Sequence, residues 1–336
     1  MSPVLLFGGR SAEHAVSVSS AAFCAASLLA RGITPFLLGI GKDGRLLHFP
    51  LSPDRLDESW ETHARPVSLR YEGGKPLTLA VEGGTPFVPE RIFSLLHGAY
   101  GEDGHWQGLL SLCGTPYVGC GLLSSALCMH KGKAKALASY YGIPTAPFFV
   151  AENASTETLA EIERTLSYPL FVKPLSGGSS LGVSRVESAA TLRPALRRAL
   201  SFDGRAIVEE EIAGTELSVG VLEKNGQLLL SPVGELRSER GFFDYEKKYK
   251  THAVSLSIPA LLSAREERQV RDMAAFLFRL FECKGLSRVD FFKSKKGAIY
   301  FGEINTIPGF TAESLFPALF AHIGIDPLSF LLEEEG

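Results

Sequence analysis

Apolar and polar positions fall in blocks along this chain, and the blocks change period from one to the next. Residues 4–7 (Val-Leu-Leu-Phe) form a short apolar run ending at Gly8-Gly9, which reads as a first strand. An Ala/Ser/Leu-rich stretch then runs to Arg31-Gly32, a helix with a glycine stop. Residues 33–40 predict the next strand, and Lys42-Asp-Gly-Arg45 a hairpin turn. Between 50 and 90 the chain is rich in Pro, Gly and charge and predicts no clear element. Residues 91–96 are a buried strand opening into His97-Gly-Ala-Tyr-Gly-Glu-Asp-Gly104, followed by a helix over 106–113 and a short strand over 115–118. Small and polar residues directly after a buried strand mark the crevice edge where α/β sheets hold ligands.

The second half alternates in the same way. One helical segment is expected over 123–141, strands over 148–150 and 170–173, and a helix over 157–166. The loop Pro174-Leu-Ser-Gly-Gly-Ser-Ser-Leu-Gly182 leads into a strand at 183–186. Strands are expected at 206–211 and 217–222, an amphipathic helix at 264–281, and a hairpin of 285–293 with 298–304 across Ser294-Lys-Lys-Gly297. Residues 310–315 start the last helix, with Ser314 in its first turn. Residues 237–255 mix charges with aromatics at no sustained period, as a closing lid would. The pattern describes three compact α/β units, without internal repeats.

Composition narrows this. A chain of 336 residues exceeds one hydrophobic core, so two or three domains are expected. The net charge of −3 gives no basic footprint for nucleic acid. No apolar run approaches a membrane span. The first residues carry no positive segment and read as a strand rather than a signal peptide. The five cysteines include no CxxC, so neither a disulfide framework nor a zinc site is signalled, and a reducing cytoplasm is expected.

Candidate chemistry concentrates in a few stretches. Residues two apart on a strand share a face, so Glu303 and Asn305 point together, and the hairpin can bring Asp290 near Glu303. Hard oxygen ligands of this kind suit Mg²⁺ bridging substrate phosphates, although a solvated edge hairpin reads the same way. Lys173 at the end of an apolar strand, followed by the Gly/Ser loop, makes a flap whose N–H groups approach phosphate oxygens. It is not a P-loop, because GxxxxGK[ST] is absent, and the glycines after the first strand do not form the dinucleotide fingerprint. Glu13 lies near a helix start, where it serves either a ligand or the helix dipole. Lys131, Lys133 and Lys135 follow one another on a helix, usually the sign of a wet face. Of Glu209, Glu210 and Glu211, some must face water, and one or two could accept from ribose hydroxyls.

Taken together, Gly8-Gly-Arg-Ser-Ala-Glu-His-Ala-Val-Ser17, His97 to Gly104, Lys173 to Gly182, Phe243-Asp-Tyr-Glu-Lys-Lys-Tyr249, Arg288-Val-Asp290 and Glu303 to Gly309 resemble the D-alanine–D-alanine ligase family of the ATP-grasp superfamily. The likeness runs over nearly the whole chain. It implies a three-domain ATP-grasp architecture, α/β with an α+β ATP-grasp part. The amino-terminal open parallel-sheet domain would span 1–122, a central subdomain 123–213 and a carboxy-terminal subdomain 214–336, with the lid at 237–255. The implied activity is ATP-dependent joining of two D-alanines through a D-alanyl phosphate, for peptidoglycan precursors, in a cytoplasmic homodimer. By the same resemblance Glu13 orients the first D-alanine's ammonium with His97 close by, and Lys131 and Lys173 hold ATP phosphates beneath Ser179 and Ser180. Glu209, Glu210, Glu211 and Ile212 supply the adenine hinge, and Glu216 binds ribose. Lys248 and Tyr249 belong to the lid, with Tyr249 linked to Ser179 and Glu13. Arg288 and the Gly309 amide form the oxyanion site, while Asp290, Glu303 and Asn305 bind two Mg²⁺, for which Mn²⁺ can substitute. Ser314 and Leu315 receive the second substrate's carboxylate. The amine proton leaves through a hydroxyl relay of Tyr249, Ser179 and Ser314, or to phosphate oxygen.

Two positions depart from the family's pattern: His130, where Met-Asp-Lys is common, and Phe243, where a tyrosine is frequent. The rival readings are a ligase for D-lactate or D-serine and a non-catalytic ATP-binding protein. In relatives favouring lactate the lid tyrosine is typically histidine, so Tyr249 points to an amine acceptor. Retention of the metal acids and the arginine argues against an inactive relative.

Overall fold

Side chains of the strand Val4–Gly8 alternate between two different cores. Leu5 and Phe7 pack with Val18, Ala21, Cys24, Ala25 and Leu28 of the helix His14–Leu29. Val4 and Leu6 face the other way, toward Leu110 of the helix His105–Leu112. The strand is covered on both faces, as an unbroken apolar run requires. The computed structural model describes residues 3–50, 52–238 and 254–332.

This strand lies in a seven-stranded sheet ordered Thr78–Val81, Arg65–Arg70, Leu46–His48, Phe36–Ile40, Val4–Gly8, Ile92–Ser94, Tyr117–Val118. The last four run parallel, and the first three extend the sheet antiparallel. The strand expected at 33–40 begins at Phe36. The stretch 50–90, where the sequence predicted no clear element, supplies two of the antiparallel strands and Trp60, which is fully buried against Phe7 with ring centroids 4.8 Å apart.

A four-stranded antiparallel sheet follows, ordered Ser184–Val186, Leu170–Pro174, Ala206–Glu210, Phe148–Ala151. Ile162 of the helix Thr156–Thr165 and Leu192, Leu196 and Ala199 of the helix Ala189–Asp203 cover it. The third sheet is antiparallel and runs Val254–Ser257, Gly234–Ser238, Gly214–Lys224, Leu286–Ser294, Ile299–Asn305, with Gln227–Leu230 also paired to Gly214–Lys224. The helix Ala264–Leu280 lays Val270, Ala274, Leu277 and Phe278 on it, and Ser263 and Glu266 start that helix with a reciprocal capping box. Phe310, Phe316 and Phe320 pack into the same core as Leu5 and Phe7, so the first and third sheets share apolar interior.

Two helix expectations are corrected. The segment 123–141 is two helices, Leu122–Met129 and Lys131–Tyr140, broken at His130. His130 Nδ1 accepts from the Lys133 N–H at 3.1 Å and caps the second helix. The apolar period continues across this break and does not reveal it. The helix placed at 310–315 starts at Leu315, with Ser314 as its cap residue. The Thr311 N–H donates to Ser314 Oγ at 2.9 Å and the Ser314 N–H to Thr311 O at 3.0 Å, closing a turn before the helix. A further helix, Pro327–Leu332, follows it.

Candidate active site

The three sheets leave between them a cavity of about 670 Å³. From the first sheet come Glu13 and His97. Glu13 directly precedes the helix His14–Leu29, and the loop behind it is tied down in steps. Glu13 N–H donates to Ser11 Oγ at 3.2 Å, and Ser11 Oγ–H to His97 O at 2.6 Å. Glycine is required at 98: its φ is +72°, and a Cβ there would stand 2.5 Å from Glu13 Oε2. The Gly98 N–H in turn donates to Glu102 Oε2 at 2.7 Å. Glu13 and Glu102 thus converge on one glycine. Burial raises the Glu13 carboxyl above its ordinary range, opposed by the Ser179 hydrogen bond and by Lys131. Burial and the Glu13 charge push Glu102 up to about 8. Burial, then the Arg288 charge, lowers His97 to about 4 against a hydrogen bond at the Ile307 backbone.

The second sheet supplies the Gly/Ser loop and Lys173, and the helix Lys131–Tyr140 supplies Lys131 and Lys135. Ser179 Oγ–H donates to Glu13 Oε1, so the loop is closed over the cavity onto Glu13. Ser179 and Ser180 both hold positive φ, 51° and 57°. Lys131 Nζ donates to Gly177 O and lies 4.0 Å from Glu303 Oε2. Lys173 Nζ is 2.7 Å from Glu209 Oε2, while Lys135 Nζ is 3.2 Å from Glu209 Oε1. Burial opposes ionisation of Glu209, but Lys135 and Lys173 together overcome it and hold the carboxyl down to about 2. Lys135 is 2% exposed, so the expected wet lysine face is corrected there. The three consecutive acids divide as charge demands. Glu209 is buried on the two lysines, Glu210 accepts from the Ser167 N–H at 2.8 Å, and Glu211 pairs with Arg185 at 2.7 Å. Glu209, Glu210, Glu211, Ile212 and Glu216 all line the cavity.

The third sheet provides the acid–amide hairpin. Asp290 lies opposite Glu303 and Arg288 opposite Asn305 in the register of Leu286–Ser294 with Ile299–Asn305. A bulge follows Asp290, and Val289 and Ile304 turn into the core behind. Asp290 accepts from Ser218 Oγ at 2.7 Å, from Arg288 Nε at 2.8 Å and from Arg288 Nη2 at 2.7 Å. Asp290 keeps Arg288 firmly protonated even though burial disfavours its charge. The donor set is hard oxygen throughout: two carboxylates facing each other across strands, and an amide two residues on. It fits Mg²⁺ that completes its shell from phosphate and water. Among the described residues no three His, Cys, Asp or Glu side chains gather as a metal cage.

Gly309 lines the cavity, and Ser314 touches it from outside the wall: a Cβ on Gly309 would meet Ser314 Oγ at 2.9 Å. Leu315 starts the helix beyond. Lys248, Tyr249 and Phe243 lie outside the described residues, as does most of the expected lid. Sequence reasoning missed Glu102, Lys135 and Ser218. The spacing of Lys135 four residues after Lys131 places both on one helix face, a signal available beforehand.

The D-ala D-ala ligase N-terminus family matches residues 3–120, and the D-ala D-ala ligase C-terminus family matches 137–333. A D-alanine--D-alanine ligase of Caldicellulosiruptor bescii is 37% identical over 98% of this chain and 92% of its own length. The vancomycin C-type resistance protein VanC1 of Enterococcus gallinarum is 36% identical, covering 96% of this chain and 93% of that protein. The crystal structure of the VanG D-Ala:D-Ser ligase from Enterococcus faecalis superposes with a TM-score of 0.87 at 34% identity, over 98% of this chain and 97% of that one. With two family halves matched in order over most of its length, and its cavity walled by residues of the other motifs that carried the resemblance, Phe243 to Tyr249 lying outside the described residues, the chain belongs to the D-alanine–D-alanine ligase family, enzymes of the ATP-grasp fold.

Proposed function

We propose that this cavity joins two D-alanines to D-alanyl-D-alanine with release of ADP and phosphate, a step that feeds peptidoglycan precursors. The observation that carries the reading is the convergence of Glu13, the Gly/Ser loop, the lysines, Arg288 and the acid–amide hairpin on one cavity. A carboxylate is a poor acyl donor because oxide would have to leave. Phosphoryl transfer from ATP to the first D-alanine gives an acyl phosphate with a good leaving group.

Glu13 holds that D-alanine's ammonium, and its second tie, to Ser179, couples substrate recognition to closure of the loop. Lys131 and Lys173 attract the phosphates. Lys173 and Lys135 share the single Glu209 carboxylate, so the trio keeps a net positive charge for them. The segment from Glu209 to Ile212 forms the adenine hinge, with Glu216 toward ribose. Asp290, Glu303 and Asn305 would hold two Mg²⁺, or Mn²⁺ in their place, which neutralise charge on the transferring phosphoryl group when bound. Arg288 uses Nε and Nη2 on Asp290 and directs Nη1, with the Gly309 N–H, to the tetrahedral oxyanion. Ser314 and Leu315 take the second D-alanine's carboxylate, and Lys248 and Tyr249 close the lid against water. The reading places the enzyme in the cytoplasm, where its five buried thiols remain reduced, as a homodimer. Among the described residues no helix is long and apolar enough to cross a membrane.

The test follows ADP and phosphate release with Mg·ATP and D-alanine, L-alanine, or D-alanine with excess D-serine or D-lactate. Turnover on D-alanine alone, with dipeptide identified by mass, is expected. Turnover only when D-serine or D-lactate is present would replace the acceptor in this reading, and silence with every substrate despite ATP binding would sink it.

A further inference from the structure

The base of the Gly/Ser loop is moored on two sides. On one, Leu175 N–H donates to Arg205 O at 3.1 Å and Ser176 N–H to Asp203 Oδ2 at 2.7 Å. On the other, Lys131 holds it twice: its N–H donates to Leu175 O at 3.2 Å, and its Nζ to Gly177 O. Lys131 is the first residue of its helix, and that helix starts where it does because His130 ends one helix and caps the next. The cap is the Lys133 N–H donating to His130 Nδ1 at 3.1 Å. The turn has little slack. A Cβ on Gly132 would meet Val150 Cγ2 at 2.8 Å and lie 3.6 Å from His130 Cε1.

We propose that His130 is a positioning residue that holds Lys131 and the loop base ready for nucleotide phosphates only while its imidazole is neutral, so that this chain's affinity for nucleotide depends on pH. The inference deepens the ligase reading and rests on its assignment of Lys131 to phosphate. An imidazole accepts at Nδ1 only when its proton sits on Nε2; the imidazolium has two donors and no acceptor. Protonation therefore sets N–H against N–H at Lys133 and adds positive charge at the positive end of a helix dipole.

The groups facing the ring are Asp203 at the end of the helix Ala189–Asp203, Arg205 just before the strand Ala206–Glu210, and Lys133 from the helix that His130 caps. Burial, then Arg205 and Lys133, hold the ring below its ordinary value; its own backbone and Asp203 act the other way. The neutral, capping form dominates at neutral pH and is lost as pH falls through that lowered value, below about 6.5.

The test measures ADP binding by calorimetry and KM for ATP on the full chain at pH 8 and pH 5.5. His130→Asp keeps an acceptor at both, and comparison with it removes the nucleotide's own titration. Relative to His130→Asp, the wild type should weaken at the lower pH toward the level of His130→Ala, which should bind about fivefold more weakly at both. The effect should fall on KM for ATP rather than kcat. Thermal unfolding checks each fold, and His130→Asn, which also accepts at both pH values, replaces His130→Asp if that variant fails it, the comparison with wild type at the two pH values then carrying the test without His130→Ala if that one fails. If His130→Asp keeps the wild-type acid weakening, or His130→Ala binds ADP as wild type does at pH 8, the proposal is wrong. The expected binding pattern without turnover on D-alanine would support it and overturn the ligase reading instead.

Discussion

Glu102 is buried beside Gly98, with burial and the Glu13 charge both raising its carboxyl. Its folded value of about 8 lies above the ordinary 4.5, so the neutral acid is the form the fold accommodates. The stability this group contributes is whole below 4.5 and is lost as pH rises through about 8. His97 works at the other end: lowered to about 4, it contributes stability that is whole above 6.5 and is lost as pH falls through 4. Urea midpoints in the wild type should therefore decline from pH 6.5, where His97 no longer offsets the loss, to about 8, and level off above it. Glu102→Gln, whose amide oxygen still accepts from Gly98, should flatten that decline; an unchanged alkaline limb would refute the assignment. The motif His97 to Gly104 was visible as a ligand-edge loop. The burial of Glu102 was not, because the Glu13 charge that acts on it comes from a loop distant in sequence.

At the scale of elements, the Lys135–Glu209–Lys173 trio ties the helix Lys131–Tyr140 to the strands Leu170–Pro174 and Ala206–Glu210. Removing the shared carboxylate leaves Lys135 buried without its anion, which costs about 3–5 kcal/mol. Glu209→Gln should lower the melting temperature accordingly and raise KM for ATP, and a variant as stable as wild type would show the trio to be dispensable. The wild-type contribution is present above pH 4.5 and lost as pH falls through about 2. The hairpin bearing Asp290, Glu303 and Asn305 was legible because period-two alternation and a Lys-Gly turn fix register locally. The break at His130 was not, since apolar periodicity passes straight across it. Lys135 was misread because its partner comes from a strand distant in sequence, and a lysine's neighbours alone do not say whether its ammonium is wet.

For the whole molecule, three α/β units were legible from the order of helix-like and strand-like blocks. Their joining was not. Phe310 meets Phe93 edge-on at 5.4 Å and packs, with Phe316 and Phe320, into the core begun by Leu5 and Phe7. The chain thus closes on itself, its late aromatics completing an interior that its first residues open, and this bears on what happens when it is divided. Two polypeptides split at the exposed turn Tyr141-Gly142 would each present an unfinished apolar face and would stay inactive apart. Mixed, they should co-elute on size exclusion and recover ADP release. Halves that fold and remain monodisperse separately would show the shared interior to be superficial. Recovery on mixing would make the fold a complementation reporter, one whose signal appears only when proteins fused to the two pieces meet.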